Sequence, residues 1–312
     1  VRSMRYENSE VISMRYGNSE ERSMKYEKSE VRSMRYEDGK FLINLSNNII
    51  LNSDYVCIAS GGAPKTSMFQ WLVDLGHTIS EPVPSLFTFN LHSAKPGSAK
   101  HPITELMGVS VERARVKIER TKLTEEEPVL ITHWGLSGPA VLKLSAWGAR
   151  ELAAVEYHFK VHINWLPNEN ANSLKEKFRN FRLSESNKKI LNHNFGKLPN
   201  RLWQFLLAQS DIHADMRFAD LPAKKENILI NNLVDYTAEV KGKTTFKEEF
   251  VTAGGINLSG VDANTMMSRK TKNLFFAGEV LDVDGITGGF NFQHAWTSGW
   301  IAAKTISLLS TE

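Results

Sequence analysis

Residues 273–300 read NLFFAGEVLDVDGITGGFNFQHAWTSGW. Residues 274–277 are a short apolar run, the length of a buried strand. Gly278 stops that run and Glu279 follows at once. Asp282 and Asp284, with glycines at 285, 288 and 289, make an acidic, glycine-rich loop. Beyond it Phe292, Ala295, Gly299, Ala302 and Ile306 recur at spacings of three and four, one face of a helix. Strand, acidic residue, glycine turn and helix are the parts of a ligand site. Glycines let backbone approach a bulky group, and a helix start offers free N–H groups and the positive end of a dipole. The alternative is a helix packed tightly on a sheet, with the glycines needed only for contact.

An acidic acceptor suits a polyhydroxyl chain, and a helix start suits an anionic or electron-rich group. A flavin dinucleotide has both: a ribityl chain, and a ring edge that gains negative charge on reduction. Five stretches resemble, in the same order, one family of bacterial NAD(P)/FAD-dependent oxidoreductases, the aminoacetone-oxidase-like (BaiN/YhiN-like) flavoproteins. They are ASGGAPK at 59–65, LGHTISEPVPSLFTF at 75–89, ITHWGLSGPAVLKLSAWGAREL at 131–152, GKTTFKEEFVTAGGINL at 242–258 and FAGEVLDVDGITGGFNFQHAWTSGWIAA at 276–303. The resemblance implies FAD as cofactor and a redox reaction on a small molecule, with NAD(P)H or oxygen as redox partner. Glu279 is assigned to the ribityl hydroxyls, and the backbone of Gly288, Gly289, Phe290 and Asn291 to the reduced ring. Ser60, Gly61 and Gly62 are expected beside the dinucleotide. Gly278, Asp282 and Gln293 complete the cofactor-binding set.

In the resembled family a βαβ unit with a GxGxxG turn holds the ADP half of the flavin. No GxGxxG occurs in this chain, so the expectation is a family member apparently lacking that N-terminal segment. Two functions follow. One is an FAD-dependent oxidoreductase. The other is a non-catalytic remnant of that fold with weak or no FAD binding, acting as a structural or interaction protein.

Residues 1–40 are four copies of a decapeptide: VRSMRYENSE, VISMRYGNSE, ERSMKYEKSE and VRSMRYEDGK. Met and Tyr stand two apart in each copy and would share one face of a strand. Asp38-Gly39 is a hairpin signal. A stack of short strands and a disordered low-complexity arm both fit, and nothing in the repeat suggests chemistry. Residues 41–45 and 49–52 alternate about Ser46-Asn47-Asn48, a plausible hairpin. Residues 54–59 form a buried strand ending in Ser60-Gly61-Gly62, and 67–75 form a helix stopped by Gly76. Short β-type runs at 85–91, 108–117, 129–132 and 157–165 predict an antiparallel sheet or small barrel, with a helix over 140–152. Helices are expected at 173–189, 200–209 and 224–233. Residues 246–250 return the chain to the sheet, and Thr252-Ala253-Gly254-Gly255 is a second glycine pair at a domain crossing, a ligand contact or a plain hinge.

The fold class that results is α/β: a Rossmann-like FAD-binding domain interrupted by a β-rich, barrel-like domain carrying a small helical insert. The segments are the repeat at 1–40, the FAD domain at 41–80 and 251–312, the β-rich domain at 81–165 and 236–250, and the insert at 166–235. His133 is the sole weak catalytic candidate; the blander interpretation is a histidine hydrogen-bonded within its loop. The single cysteine, Cys57, excludes an intrachain disulfide and a cysteine-rich metal site, and reads as a core thiol. No metal site is expected. With 38 basic and 35 acidic residues, the charge is too balanced to argue for nucleic acid or membrane by itself, and neither is expected as a partner, although the pI of 8.8 and scattered basic helices support a weaker nucleic-acid alternative. No apolar run reaches membrane-spanning length, so the expected location is the cytoplasm, with a small-molecule substrate.

Overall fold

The computed structural model describes residues 29–92, 100–244 and 251–311, and the backbone of three strands before them. The chain divides into two compact units, residues 1–85 with 251–312 and residues 86–250. In chain order the first unit opens with β1 (Arg2–Ser3), β2 (Glu10–Arg15), β3 (Ser23–Glu27), β4 (Val31–Glu37), β5 (Lys40–Leu45), β6 (Ile50–Ser53), β7 (Val56–Ile58), α1 (Gln70–Val73) and β8 (Ile79–Ser85). The second holds β9 (Thr88–His92), β10 (Ser110–Ile118), β11 (Thr124–Ile131), β12 (Gly135–Ser137), α2 (Pro139–Trp147), α3 (Ala149–Ala154) and β13 (His158–Asn164). It continues through α4 (Ala171–Ser184), α5 (Asn200–Gln209), α6 (Ala223–Val234) and β14 (Tyr236–Thr244). The first unit then resumes with β15 (Val251–Ile256), β16 (Val261–Asp262), β17 (Met267–Ser268), β18 (Leu274–Phe276) and α7 (Phe290–Leu309).

The first unit is mixed α/β. Its main sheet runs β16-β17-β18-β7-β1-β2-β3, with β18, β7 and β1 mutually parallel. β4, β5 and β6 form an antiparallel meander. Asp38 and Gly39 both have positive φ, at 50° and 81°, the conformation a two-residue hairpin turn requires. The last copy of the repeat is therefore structured: Met34 is 8 % exposed in the core with Phe41, Ile43 and Leu45. Tyr36, two residues on, packs against Phe41 with ring centroids 4.7 Å apart and the planes tilted by 46°. A fully disordered arm is excluded for this copy, because the Ser-Met-Arg-Tyr alternation turns its two large side chains to one face. Cys57 is a buried thiol in β7, and burial raises its pKa.

The second unit is a closed six-stranded antiparallel barrel, β10-β11-β12-β9-β14-β13, with helices packed on it. Its apolar interior continues without a break from Phe89, Val116 and Val161 in the barrel to Trp203, Leu206 and Leu229 in the helices. α4 starts at a capping box: Asn170 Oδ1 accepts from the Asn172 and Ser173 amides at 2.9 and 3.0 Å, and Ser173 Oγ accepts from the Asn170 amide at 2.9 Å. No helix among the described residues is long and apolar enough to cross a membrane.

Four element expectations need correction. The single strand at 85–91 is two, β8 and β9, parted at Leu86, whose φ is +55°. They belong to different sheets, and the Phe87 amide donates to Ser145 Oγ at 2.9 Å. The helix at 140–152 breaks at Gly148 into α2 and α3. The helix at 173–189 stops at Ser184, and Lys189 instead bridges Arg217. The expected strand at 246–250 lies outside the described residues.

The fourth correction concerns α7. Phe292 is not on its packed face: it is 70 % exposed, as is Trp296 at 71 %. The packed side carries small residues, Ala295, Ser298 and Ala302, because Gly278 runs close by; a Cβ built on Gly278 would lie 3.5 Å from that of Ala295.

Candidate functional site

Leu274, Phe275 and Phe276 are fully buried in β18, which fixes where the chain leaves the sheet. The next residues, Gly278–Val280, make one tight turn, and Glu279 extends from it. Its carboxylate joins three segments of the first unit. Oε2 accepts from the Gly62 amide at 3.2 Å and Oε1 from the Thr252 amide at 2.7 Å. A Cβ built on Gly62 would sit 2.5 Å from Thr252 Oγ1 and 2.8 Å from Glu279 Cδ, so this position admits only glycine. Both glycine-bearing stretches that the sequence marks, 60–62 and 252–255, meet at one acid. An ionised carboxylate offers about four lone-pair sites, so two stay open to a ligand hydroxyl.

Thr252 is the residue that sequence reasoning missed. It is 1 % exposed, and its hydroxyl has no partner among the described residues. A buried hydroxyl without a partner carries a desolvation cost. The signal was present as TAGG at 252–255, but only the fold shows that it faces Gly62. Gly254 and Gly255 are packing residues: φ is +119° and +130°, and a Cβ on either would lie 2.5 Å from a backbone oxygen, of Glu81 or Val280.

The start of α7 is the second part of the site. Gly289 precedes it at φ +86°, and no side chain caps it. The first amide to find an intrahelical acceptor is that of Gln293, on Gly289 O at 2.9 Å. The amides of the first turn therefore point out of the helix without an intrahelical partner, as helix starts do. Ser298 Oγ accepts from the Gly278 amide at 2.9 Å and donates to His294 O at 2.6 Å, tying the helix to the end of β18. Asn291 braces the loop: its Oδ1 accepts from the Gly285 amide at 2.7 Å and its Nδ2 donates to Gly285 O at 3.0 Å. Gly288 precedes Gly289 at φ +121°.

The other expected residues are spread more widely. Ser60 is buried, with its hydroxyl 3.5 Å from Gly61 O. The Asp282 amide donates to Ile256 O at 2.9 Å, holding the acidic loop along β15. Phe290 is exposed. Gln293 is exposed and bonds Thr297 along the helix at 3.0 Å. His133 belongs to the other unit; it is exposed, without a side-chain hydrogen bond among the described residues. Thr132 organises that loop instead, its Oγ1 accepting from the amides of Trp134 and Gly135 at 3.3 and 3.2 Å.

A carboxylate with open acceptor sites and an uncapped helix start, carried on one strand–turn–helix stretch, fit a ligand with hydroxyls at one end and an electron-rich ring at the other. The family model described as the HI0933-like protein barrel and H2TH domain matches residues 83–251, more than half of the chain. The chain belongs to the HI0933-like family. That family is of FAD-dependent oxidoreductase type. The matched residues coincide with the barrel and helices, not with the Glu279 site.

Curated relatives extend the likeness beyond that match. The ribosomal RNA dihydrouridine synthase of Escherichia coli is 30 % identical over 267 residues, covering 83 % of this chain and 62 % of that protein. The 3-dehydro-bile acid delta(4,6)-reductase of Clostridium scindens is 27 % identical over 260 residues, 81 % of this chain and 62 % of that protein. The ribosomal RNA dihydrouridine synthase of Haemophilus influenzae is 32 % identical over 184 residues, 57 % of this chain and 42 % of that protein. The chain thus spans less than two thirds of the length of these relatives. Two of them are named for an RNA substrate, which overturns the expectation of no nucleic-acid partner. That expectation rested on net charge, which averages over the whole surface and hides local basic clusters.

Proposed function

We propose that this HI0933-like chain is part of an FAD-dependent reductase that adds two hydrogens across a carbon–carbon double bond conjugated to a carbonyl, with NAD(P)H as the ultimate donor. The observation that carries this is the meeting of Gly62, Thr252 and Glu279 beside the strand that feeds the uncapped start of α7. Glu279 would hold the ribityl hydroxyls through its two open acceptor sites. The first amides of α7 would stabilise negative charge on the ring. The surrounding sheet would be the Rossmann-like frame, with β18 and β7 as its parallel centre. Bound there, FAD would supply the hydride. The names of the relatives share this reaction class: a uracil ring and a bile-acid enone both hold such a bond. Since two of the three act on ribosomal RNA by name, uridine in RNA is the favoured substrate.

One observation favours the second reading, a fold that persists without flavin. The Glu279 carboxylate already serves two backbone amides, a structural role that needs no ligand. A direct test supplies FAD, NADPH and a uridine-containing ribosomal RNA fragment, and reads the RNA by mass spectrometry. A gain of two hydrogens per modified uridine is expected. Flavin binding without any such gain, on RNA or on a steroid enone, would remove the reaction class; absence of flavin binding would favour the remnant.

A further inference from the structure

Between residues 166 and 235 the chain carries eleven Lys and Arg against eight Asp and Glu. Several of these cations are paired: Lys177 with Glu169, Arg182 with Glu226, Lys188 with Glu185 and Lys225 with Asp211, all within 2.5–2.7 Å. Two others lie directly opposite each other. An isolated antiparallel bridge joins Lys189 to Arg217. The flanking bonds run from the Ile190 amide to Met216 O at 3.0 Å and from the Phe218 amide to Lys188 O at 3.1 Å. This is the pattern of a non-hydrogen-bonded pair, in which the Cα atoms come to about 4.5 Å and both side chains leave on one face.

Both residues are exposed, and neither side chain makes a hydrogen bond or ion pair among the described residues; only their backbone carbonyls accept, from the Asn192 and Asp220 amides. Asp215 and Asp220 are near in sequence, yet neither forms an ion pair with either cation. Like charges directly opposite each other destabilise a pair, so the bridge must be held from elsewhere. It is held from beneath: Ile190 and Phe218, next to the two cations, are fully buried. Arg182 clamps the same loop, donating to Phe218 O at 3.3 Å and Leu221 O at 3.0 Å. The structure thus fixes two adjacent positive charges at the surface and, among the described residues, supplies no counter-ion.

We infer that Lys189 and Arg217 form an anchor for the phosphodiester backbone of RNA. This rests on the RNA reading proposed above and names where the polymer is gripped. Arg217 suits a two-pronged contact to one phosphate, and Lys189 adds a point charge beside it. Such contacts position a nucleic acid without reading its sequence.

The test is fluorescence anisotropy of a labelled ribosomal RNA fragment on the full chain across a salt series. The Lys189→Gln/Arg217→Gln double variant should bind roughly tenfold or more weakly at low salt, with a salt slope shallower by about 1.5–2. Its thermal midpoint should hold or rise, because a repulsion has been removed. Wild-type affinity and slope in the double variant would overturn the anchor alone. A fall in midpoint by several degrees alongside the lost affinity would assign the pair to folding and overturn it too. No binding by the unaltered chain, even at low salt, would overturn the RNA reading together with the anchor.

Discussion

The two units hold themselves together differently. The second has one apolar cluster that runs from barrel to helices, with both of its most buried tryptophans, Trp165 and Trp203, inside. The first has a smaller apolar core, and its glycine-bearing stretches are joined by polar contacts at Glu279 and Ser298. Among the described residues both units keep buried polar atoms without partners, Thr252 Oγ1, His77 Nδ1 and His294 Nε2 in the first and Trp165 Nε1 in the second, but in the first Thr252 lies beside the Glu279 carboxylate. The family match falls on the well-packed unit, while the candidate chemistry sits in the other. Packing preserves a fold; unsatisfied polar groups are what a ligand can use.

Substitutions should separate the two kinds of construction. The largest effect is expected from Trp203→Ala in the second unit. Truncating a fully buried tryptophan costs about 3–5 kcal/mol, and its indole N–H to Leu191 O is lost as well. Denaturant unfolding should report that loss, with flavin affinity of the folded fraction unchanged. A cost below about 1 kcal/mol would mean that the cluster is not the core described.

Gly289→Val should come next. No atom lies within 4 Å of a Cβ built there, but φ is +86°, and the left-handed region costs an L-residue about 1–2 kcal/mol. Flavin binding should fall while far-ultraviolet CD stays near wild type. Collapse of the fold would make the glycine a packing residue instead.

His77 gives a pH-dependent effect of intermediate size. Ser268 Oγ accepts from the Lys270 and Thr271 amides at 3.0 and 2.8 Å, so its own hydrogen goes to His77 Nε2, 2.9 Å away. The ring is therefore held neutral, with its proton on Nδ1. Burial, and then the charge of Lys270, lower its pKa from 6.5. The unfolded chain binds the proton more readily. Stability should thus be complete above about pH 6.5 and decline as pH falls through that value towards the folded pKa. Unfolding free energies measured across this window should show the slope, and His77→Phe should flatten it.

Thr252→Val should do least to stability. Its hydroxyl makes no bond among the described residues, so the ligand-free midpoint should hold or rise by an amount worth up to about 1 kcal/mol. A clear fall would mean that a partner for the hydroxyl exists.

Much of this was legible in the sequence, and the gaps have physical causes. The strand, the turn and the long helix at 273–309 follow from an apolar run, a glycine stop and a 3.6-residue period. Short β-type runs made β9, β10, β13 and the end of β11 readable, but not β12 or β14. The packed face of α7 was not readable either, because hydrophobicity marked Phe292 while space beside Gly278 demanded small residues. Nor could the Glu279–Gly62 contact be read, since it joins residues 217 apart across an inserted unit. The Lys189–Arg217 pair was hidden for the same reason: 28 residues of chain return to form one bridge.

The central claim is that Glu279 is a flavin ligand as well as a brace. Titration of FAD into the wild-type chain and into Glu279→Ala, followed by flavin fluorescence with the unfolding midpoint measured alongside, tests it most directly. The account predicts saturable binding by the wild type and a loss of about 1.5–3 kcal/mol in the variant, the range for a charge-assisted hydrogen bond, at a temperature where both remain folded. Equal affinity in the two folded proteins, with only the midpoint lowered, would leave Glu279 a brace and contradict the claim.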